Sequence, residues 1–273
     1  MKRILSAAIL LAIFQFPGTS LCRAAAPYMN FTIEELAGFG NGGNSLYRVS
    51  GSDVNLDVQN NSFQNDPFAK YEFRGSMFGR QPDFSDSIQN DEFGGTSGVI
   101  VNTQDIYAKF SRQTSFQELR VESRLVPGAD PRVVILLSVL ANYLPRIPGA
   151  SSSGGGFPDQ NFTLRQFGDS VLADGAGLAD VRIERDGSSQ NYRYTVRGSA
   201  FGKNFDGPDS LYLEMDGAFL GAGGVRVRGA GMDLEIKKDD FGGPRLTVRG
   251  AAGDSAQLAL FTMAVARYLN TNY

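Results

Sequence analysis

Tyr71-Glu-Phe-Arg-Gly-Ser-Met-Phe-Gly79 returns later in the chain as Tyr194-Thr-Val-Arg-Gly-Ser-Ala-Phe-Gly202, with six of nine positions identical. Further matches keep the same order on either side. Asn30-Phe31-Thr32 answers to Asn161-Phe162-Thr163, Gly98-Val-Ile-Val101 to Gly224-Val-Arg-Val227, and Leu119-Arg-Val121 to Leu246-Thr-Val248. Each copy closes on an apolar run ending Ala-x-Tyr-Leu (Ala141 to Leu144, Ala266 to Leu269), and the offset drifts only between 123 and 131 residues. The chain therefore reads as a tandem duplication, copy one over 29–147 and copy two over 161–273. Residues 148–160, centred on Ser151-Ser-Ser-Gly-Gly-Gly156, have the composition of a flexible linker.

Inside each copy the pattern is that of strands. Leu211 to Asp216, Val225 to Arg228, Leu234 to Lys237 and Leu246 to Arg249 alternate apolar with polar residues. Tyr47 to Ser50, Val54 to Val58 and Leu119 to Glu122 do the same in copy one. Gly, Asp and Asn punctuate these runs at short intervals, which favours antiparallel hairpins over crossover helices. The last element of each copy is too long for a strand. Arg132 to Leu144 and Ala256 to Leu269 read as helices, with Asp130 and Asp254 expected as caps and Pro131 at the first helical position. In the second helix Gln257, Thr262 and Arg267 fall at roughly 0°, 140° and 280° on a wheel of about 100° per residue, so it has no polar face. Such a helix is buried all round. The expected fold is mainly β (α+β): two similar modules, each a curved antiparallel sheet or barrel around a hydrophobic C-terminal helix.

Strands followed by an enclosed C-terminal helix resemble the plan of the tubby C-terminal and LURP-one-related superfamily, which includes phospholipid scramblases. Tyr71 to Gly79 looks like that family's short strand ending in Gly-x-x-Phe. Ala108-Lys-Phe-Ser-Arg112, then Leu119-Arg-Val-Glu122, then Asp130 and the helix, is similar in order to its closing strands and helix. The resemblance covers about 75 residues of each copy, each shorter than a full family domain, so that strands are missing or the two copies complete one another. The basic phosphoinositide-binding residues of tubby proteins have no matching motif here.

Residues 1–24 read as a secretory signal peptide, with Lys2 and Arg3 before the apolar Ile4 to Phe16 and cleavage expected after Ala24. Its removal takes the single Cys, Cys22, leaving a chain without Cys, His or Trp. Disulfides, thiol catalysis and histidine metal sites are thereby excluded. It also removes three basic residues, taking the net charge from −3 to −6. That balance argues against nucleic acid as a partner. The expected location is periplasmic or secreted, with no transmembrane segment after signal removal.

No motif carries a chemical site. Gly38-Phe-Gly-Asn-Gly-Gly43 matches a dinucleotide-loop pattern but lacks the strand before it and the helix after it. Asp83, Asp86 and Asp91, Asp206 and Asp209, and Asp239-Asp240 lack calcium-loop spacing and read as acidic turns. The adjacent carboxylates Glu34-Glu35 and Asp91-Glu92 sit on strands, where neighbours face opposite sides. Arg74 and Arg197 share a repeat position and suggest either a paired anion site or pairing with acidic neighbours. No catalytic, cofactor-binding or metal residue is assigned, and no cofactor is expected. The expected function is that of a non-enzymatic exported bacterial envelope protein with a binding or assembly role, its partner an unidentified protein or apolar ligand. The alternatives are a carrier of a lipid or another apolar ligand, and a histidine-free hydrolase. The carrier needs a cavity between helix and sheet.

Overall fold

The computed structural model describes residues 26–272 except 37–45, 62–69, 94–95, 114–116, 146, 148–157, 187–191, 208, 216–223 and 240–244. Residues 1–25, the glycine-rich 38–43 and the core of the linker lie outside the described residues. Copy one supplies β1 (Tyr28–Leu36), β2 (Leu46–Gly51), β3 (Val54–Asn60), β4 (Lys70–Met77), β5 (Ser87–Phe93), β6 (Thr96–Asn102), β7 (Ile106–Gln113), β8 (Glu118–Leu125) and helix α1 (Pro131–Tyr143). Copy two supplies β9 (Gln160–Phe167), β10 (Ser170–Gly175), β11 (Leu178–Asp186), β12 (Tyr192–Ala200), the short β13 (Lys203–Asn204), β14 (Leu211–Met215), β15 (Gly224–Gly229), β16 (Met232–Asp239), β17 (Arg245–Ala252) and helix α2 (Ala256–Asn272).

Each strand pairs antiparallel with the next, β13 hanging from β12, and β17 returns to pair with β1. The result is a closed barrel of 16 strands. The expectation of two modules, each with its own sheet, is corrected here. The copies are two halves of one wall, joined at two seams, β8–β9 and β17–β1. A copy alone has two bare edges, and pairing with the other copy removes both. The seams are laid out alike: Glu118 stands opposite Arg165 in one, and Arg245 opposite Glu34 in the other. Leu119 faces Leu164 where Leu246 faces Ile33.

The quoted repeat occupies the fourth strand of each half, β4 and β12. Both copies bend at the glycine of Arg-Gly-Ser. A Cβ on Gly75 would lie 2.1 Å from the Asn55 carbonyl oxygen, and one on Gly198 2.3 Å from that of Asp180. Both then turn through an aromatic residue in the left-handed region, Phe78 at φ 50° and Phe201 at φ 49°, each followed by a glycine. This turn points the rings at the ends of the helices. Phe78 lies under the Arg132 guanidinium, 4.7 Å away, and edge-on to Phe31, while Phe201 meets Phe261 of α2 at 6.4 Å. The Phe-Gly end of the repeated motif thus lies beside the first turns of the helices, under Arg132 of α1 and against Phe261 of α2.

Along the strands alternate residues point inward and are buried, as with Met29, Phe31 and Ile33 on β1 or Val225 and Val227 on β15. They enclose α1 and α2, which pack against each other; Val133 to Ala141 of α1 form an unbroken buried stretch. The outer wall carries cross-strand ion pairs, among them Arg48–Asp57 at 3.0 Å and Arg197–Glu184 at 2.9 Å. Among the described residues, no helix is long and apolar enough to cross a membrane. Asp130 caps α1, accepting from the Arg132 backbone N–H at 2.9 Å. In α2 the cap is Ser255, not the expected Asp254: its Oγ accepts from Leu258 N–H at 3.2 Å.

Candidate functional site

Both helices finish at the same end of the barrel. There the Arg267 side chain of α2 donates to the Ala141 carbonyl of α1 at 3.4 Å. The chain leaving α1 is held by polar side chains reaching in from the wall. The Tyr71 hydroxyl donates to the Pro145 carbonyl at 2.8 Å, and the Asn90 amide to the Ile147 carbonyl at 3.1 Å. These bonds tie the segment past the helix end to the wall, and the Asn90 amide gives the carbonyl of the buried Ile147 its partner. Tyr47 stands edge-on to both Tyr71 and Tyr143. Burial, with Tyr47 and Glu35 nearby, pushes the Tyr71 phenol well above the ordinary tyrosine range.

At this mouth a cavity of about 610 Å³ opens between the helix ends and the wall around the β17–β1 seam. Its deep part is apolar: Val139 and Met263 from the helices and Val225 and Ile236 from the sheet, all buried. Tyr47, itself buried, and the half-buried Tyr143 and Leu246 complete the apolar lining. Its rim is polar, with Glu35 on β1, Lys238 on β16, and Asn142 and Asn270 at the helix ends, all exposed.

The duplication shows why the cavity stands at one seam. The offsets of the repeat place Phe110 of copy one where copy two has Ile236, and Arg267 of α2 where α1 has Asn142. At the β8–β9 side the larger pair meets: Arg267 lies over the Phe110 ring at 5.2 Å. Beside them the Tyr268 hydroxyl donates to the Gln117 carbonyl at 2.6 Å. At the β17–β1 side the smaller pair, Ile236 and Asn142, borders the open volume. At the two equivalent places the side chains thus differ: Arg267 covers the Phe110 ring at one, while Ile236 and Asn142 border the open volume, which Arg267 also lines, at the other.

The other residues singled out from sequence fall elsewhere. Glu34 and Glu35 do face opposite sides, Glu34 pairing with Arg245 on the outer wall and Glu35 facing the cavity. Arg197 pairs with Glu184, and Arg74 is exposed on β4, with seven strands between it and β12 in either direction; the two do not form one anion site. Asp86 is fully buried and accepts from Arg80 at 2.7 Å, while Asp91 pairs with Lys109 at 2.7 Å. Burial raises the Asp86 carboxyl above its usual range even against the Arg80 charge. Asp83 accepts from the Gln104 amide at 2.8 Å, and Asp206 from the Gly198 N–H at 3.3 Å. Asp83 and Asp86 tie loop to loop, Asp206 ties loop to strand, and Asp91 ties strand to strand. Among the described residues no group of acidic, His or Cys side chains is arranged to hold a metal ion. Sequence reading missed Ile236, Asn142 and Lys238. The only signal for the first two was the pair of mismatches between otherwise matching copies.

Compared with protein-family models, curated proteins and solved structures, the chain matches none.

Proposed function

We infer that this chain is a non-enzymatic binding protein that holds the apolar part of a small ligand in the mouth cavity, and that it works in the bacterial envelope after export. The observation that carries the binding reading is the open apolar volume bordered by the smaller residue at two positions where the copies differ, Ile236 and Asn142. A cavity left by loose packing has no reason to follow the repeat, and this one opens where both the sheet and the helix carry the smaller residue. Its volume, about 610 Å³, lies within the range of small-molecule sites, about 300–1,000 Å³. Apolar depth and polar rim suit a ligand with one greasy part. Export rests on the N-terminal segment, and the resemblance to tubby-like proteins is read as a shared plan of sheet around helix, with one helix per copy.

The test copies copy one into copy two. In the double variant Ile236→Phe/Asn142→Arg the second place takes on the filled arrangement already present at the first. The parent is expected to bind the neutral apolar dye N-phenyl-1-naphthylamine with a rise in fluorescence, and the double variant to lose that rise while melting close to the parent. Equal dye uptake by a folded double variant overturns the reading. If that variant melts early, Val225→Phe blocks the cavity from a different strand and serves the same comparison.

A further inference from the structure

The inward rows of the two seams nearest the mouth do not say which copy should meet which. At the β8–β9 seam Leu119 faces Leu164 and Val121 faces Phe162; at the β17–β1 seam Leu246 faces Ile33 and Val248 faces Phe31. If β8 met β1 of another chain, Leu119 would face Ile33 and Val121 would face Phe31, nearly the same contacts again. Two outward rows are equally indifferent. Arg120 faces Thr163 where Thr247 faces Thr32, and Glu122 faces Asn161 where Arg249 faces Asn30, so each charge meets an uncharged side chain in either arrangement. One outward row differs. Glu118 stands opposite Arg165, and Arg245 opposite Glu34, with which it forms an ion pair. Copy one brings the acid to both seams and copy two the base. Pairing copy one with a second copy one would set Glu118 against Glu34, and like charges directly opposite are destabilising. Pairing copy two with itself would set Arg245 against Arg165, which also holds Asp174 at 3.0 Å, so rejection is sharper for copy one.

We propose that this row of charges selects the partner of each half: the edges of copy one accept a copy two and reject a second copy one. The row does not tell the copy two of its own chain from that of another. Covalent connection does, by holding the two copies together at an effective concentration on the order of millimolar. The cavity depends on the choice, since Ile236 comes from copy two and Asn142 from copy one.

The full chain carrying Glu118→Arg/Arg245→Glu tests this. Both seams of a single-chain barrel then hold like charges, while β8–β1 and β17–β9 pairings between two chains hold opposite ones. Four seams change from like to opposite charge in a two-chain particle. At about four-fold each, the range of exposed pairs, they multiply to about 250-fold. Covalent connection at about 50 µM protein opposes this by only about 20-fold. Refolded from denaturant and sized by light scattering, the double variant is expected to form two-chain particles and the parent single chains. Adding Glu34→Arg/Arg165→Glu restores opposite charges at both seams and should return single chains. Single chains from the double variant, or two-chain particles from the quadruple one, overturn the proposal. Should the double variant aggregate because like copies share no core, a mixture decides. Glu34→Arg/Glu118→Arg refolded together with Arg165→Glu/Arg245→Glu keeps unlike copies in every barrel. The mixture is expected to give a one-to-one two-chain particle, and two separate single-chain proteins overturn the proposal.

Discussion

Gly75 and Gly79 stand four residues apart in one motif and both have positive φ, yet they should respond differently to the same change. At Gly75, φ is +123° and an added Cβ meets backbone at 2.1 Å; at Gly79, φ is +81° and nothing lies within 4 Å. Gly75→Ala must move β3 or β4 and should cost more than about 2 kcal/mol. Gly79→Ala meets only the left-handed penalty, about 1 kcal/mol. Chemical denaturation of the two variants checks the order, and a larger loss at Gly79 would remove the close strand approach as the reason for the motif. Tyr71 makes a pH prediction. Its phenol is held neutral well above the ordinary tyrosine value, about 10. The unfolded chain gives up that proton first, so Tyr71 contributes stability that is fully present below about pH 10 and is lost as pH rises through that range toward its higher folded value. Between pH 9 and 11 the parent should lose melting temperature faster than Tyr71→Phe, which has no proton there to lose. Parallel slopes for the two proteins would refute the buried phenol.

Helix packing sets the predictions for elements. Leu137 and Leu260 lie mid-helix and are about 1% exposed. Leu260→Asp places an unpaired charge among apolar neighbours, a loss of several kcal/mol against a typical total of about 5–15, and should unfold the protein. Arg226→Ala, on the outer wall, should change stability by less than about 0.5 kcal/mol. Thermal melts that reverse this order would place α2 outside the core. Thr262, also in α2, is fully buried and its hydroxyl has no hydrogen-bond partner. Thr262→Val removes an unmatched polar group and should raise stability by about 1 kcal/mol; a lower melting temperature would mean that the hydroxyl is bonded. These elements were legible because their signals are local. Period-two alternation gave the strands, an apolar run with no polar stripe gave α2, and Pro131 after Asp130 gave the start of α1. Ser255 was passed over as a cap because Asp254, an equally good capping residue, stands beside it. The seams left no mark, since Glu118 to Ser123 pair with β9 through the same alternation that would serve within a module. The cavity was hidden for a related reason: Ile236 and Asn142 read as ordinary apolar and polar positions until the fold places them beside each other.

For the whole molecule, closure means that neither half is complete. Residues 26–147 and 158–273 made separately should each fail to fold, because each exposes two strand edges and a helix with half its wall. Mixed or co-expressed, they should assemble into one barrel and melt in a single transition at one temperature. A native-like melt by either half alone would restore the picture of two modules. The pairing of Tyr28 with Ala251 also has a consequence for the order of events during synthesis. The first strand made receives its outer neighbour only from the last strand made. When the chain is made without residues 1–24 and folds where it is synthesised, at roughly 5–20 residues per second, β1 waits about ten to forty seconds on the ribosome for that neighbour. Throughout that interval a growing curl of sheet presents an unsatisfied row of amides and carbonyls to any other nascent chain nearby. Polysome crowding, more than the stability of the finished barrel, should therefore limit the yield of folded protein, and slowing initiation should raise the soluble fraction without any change in sequence.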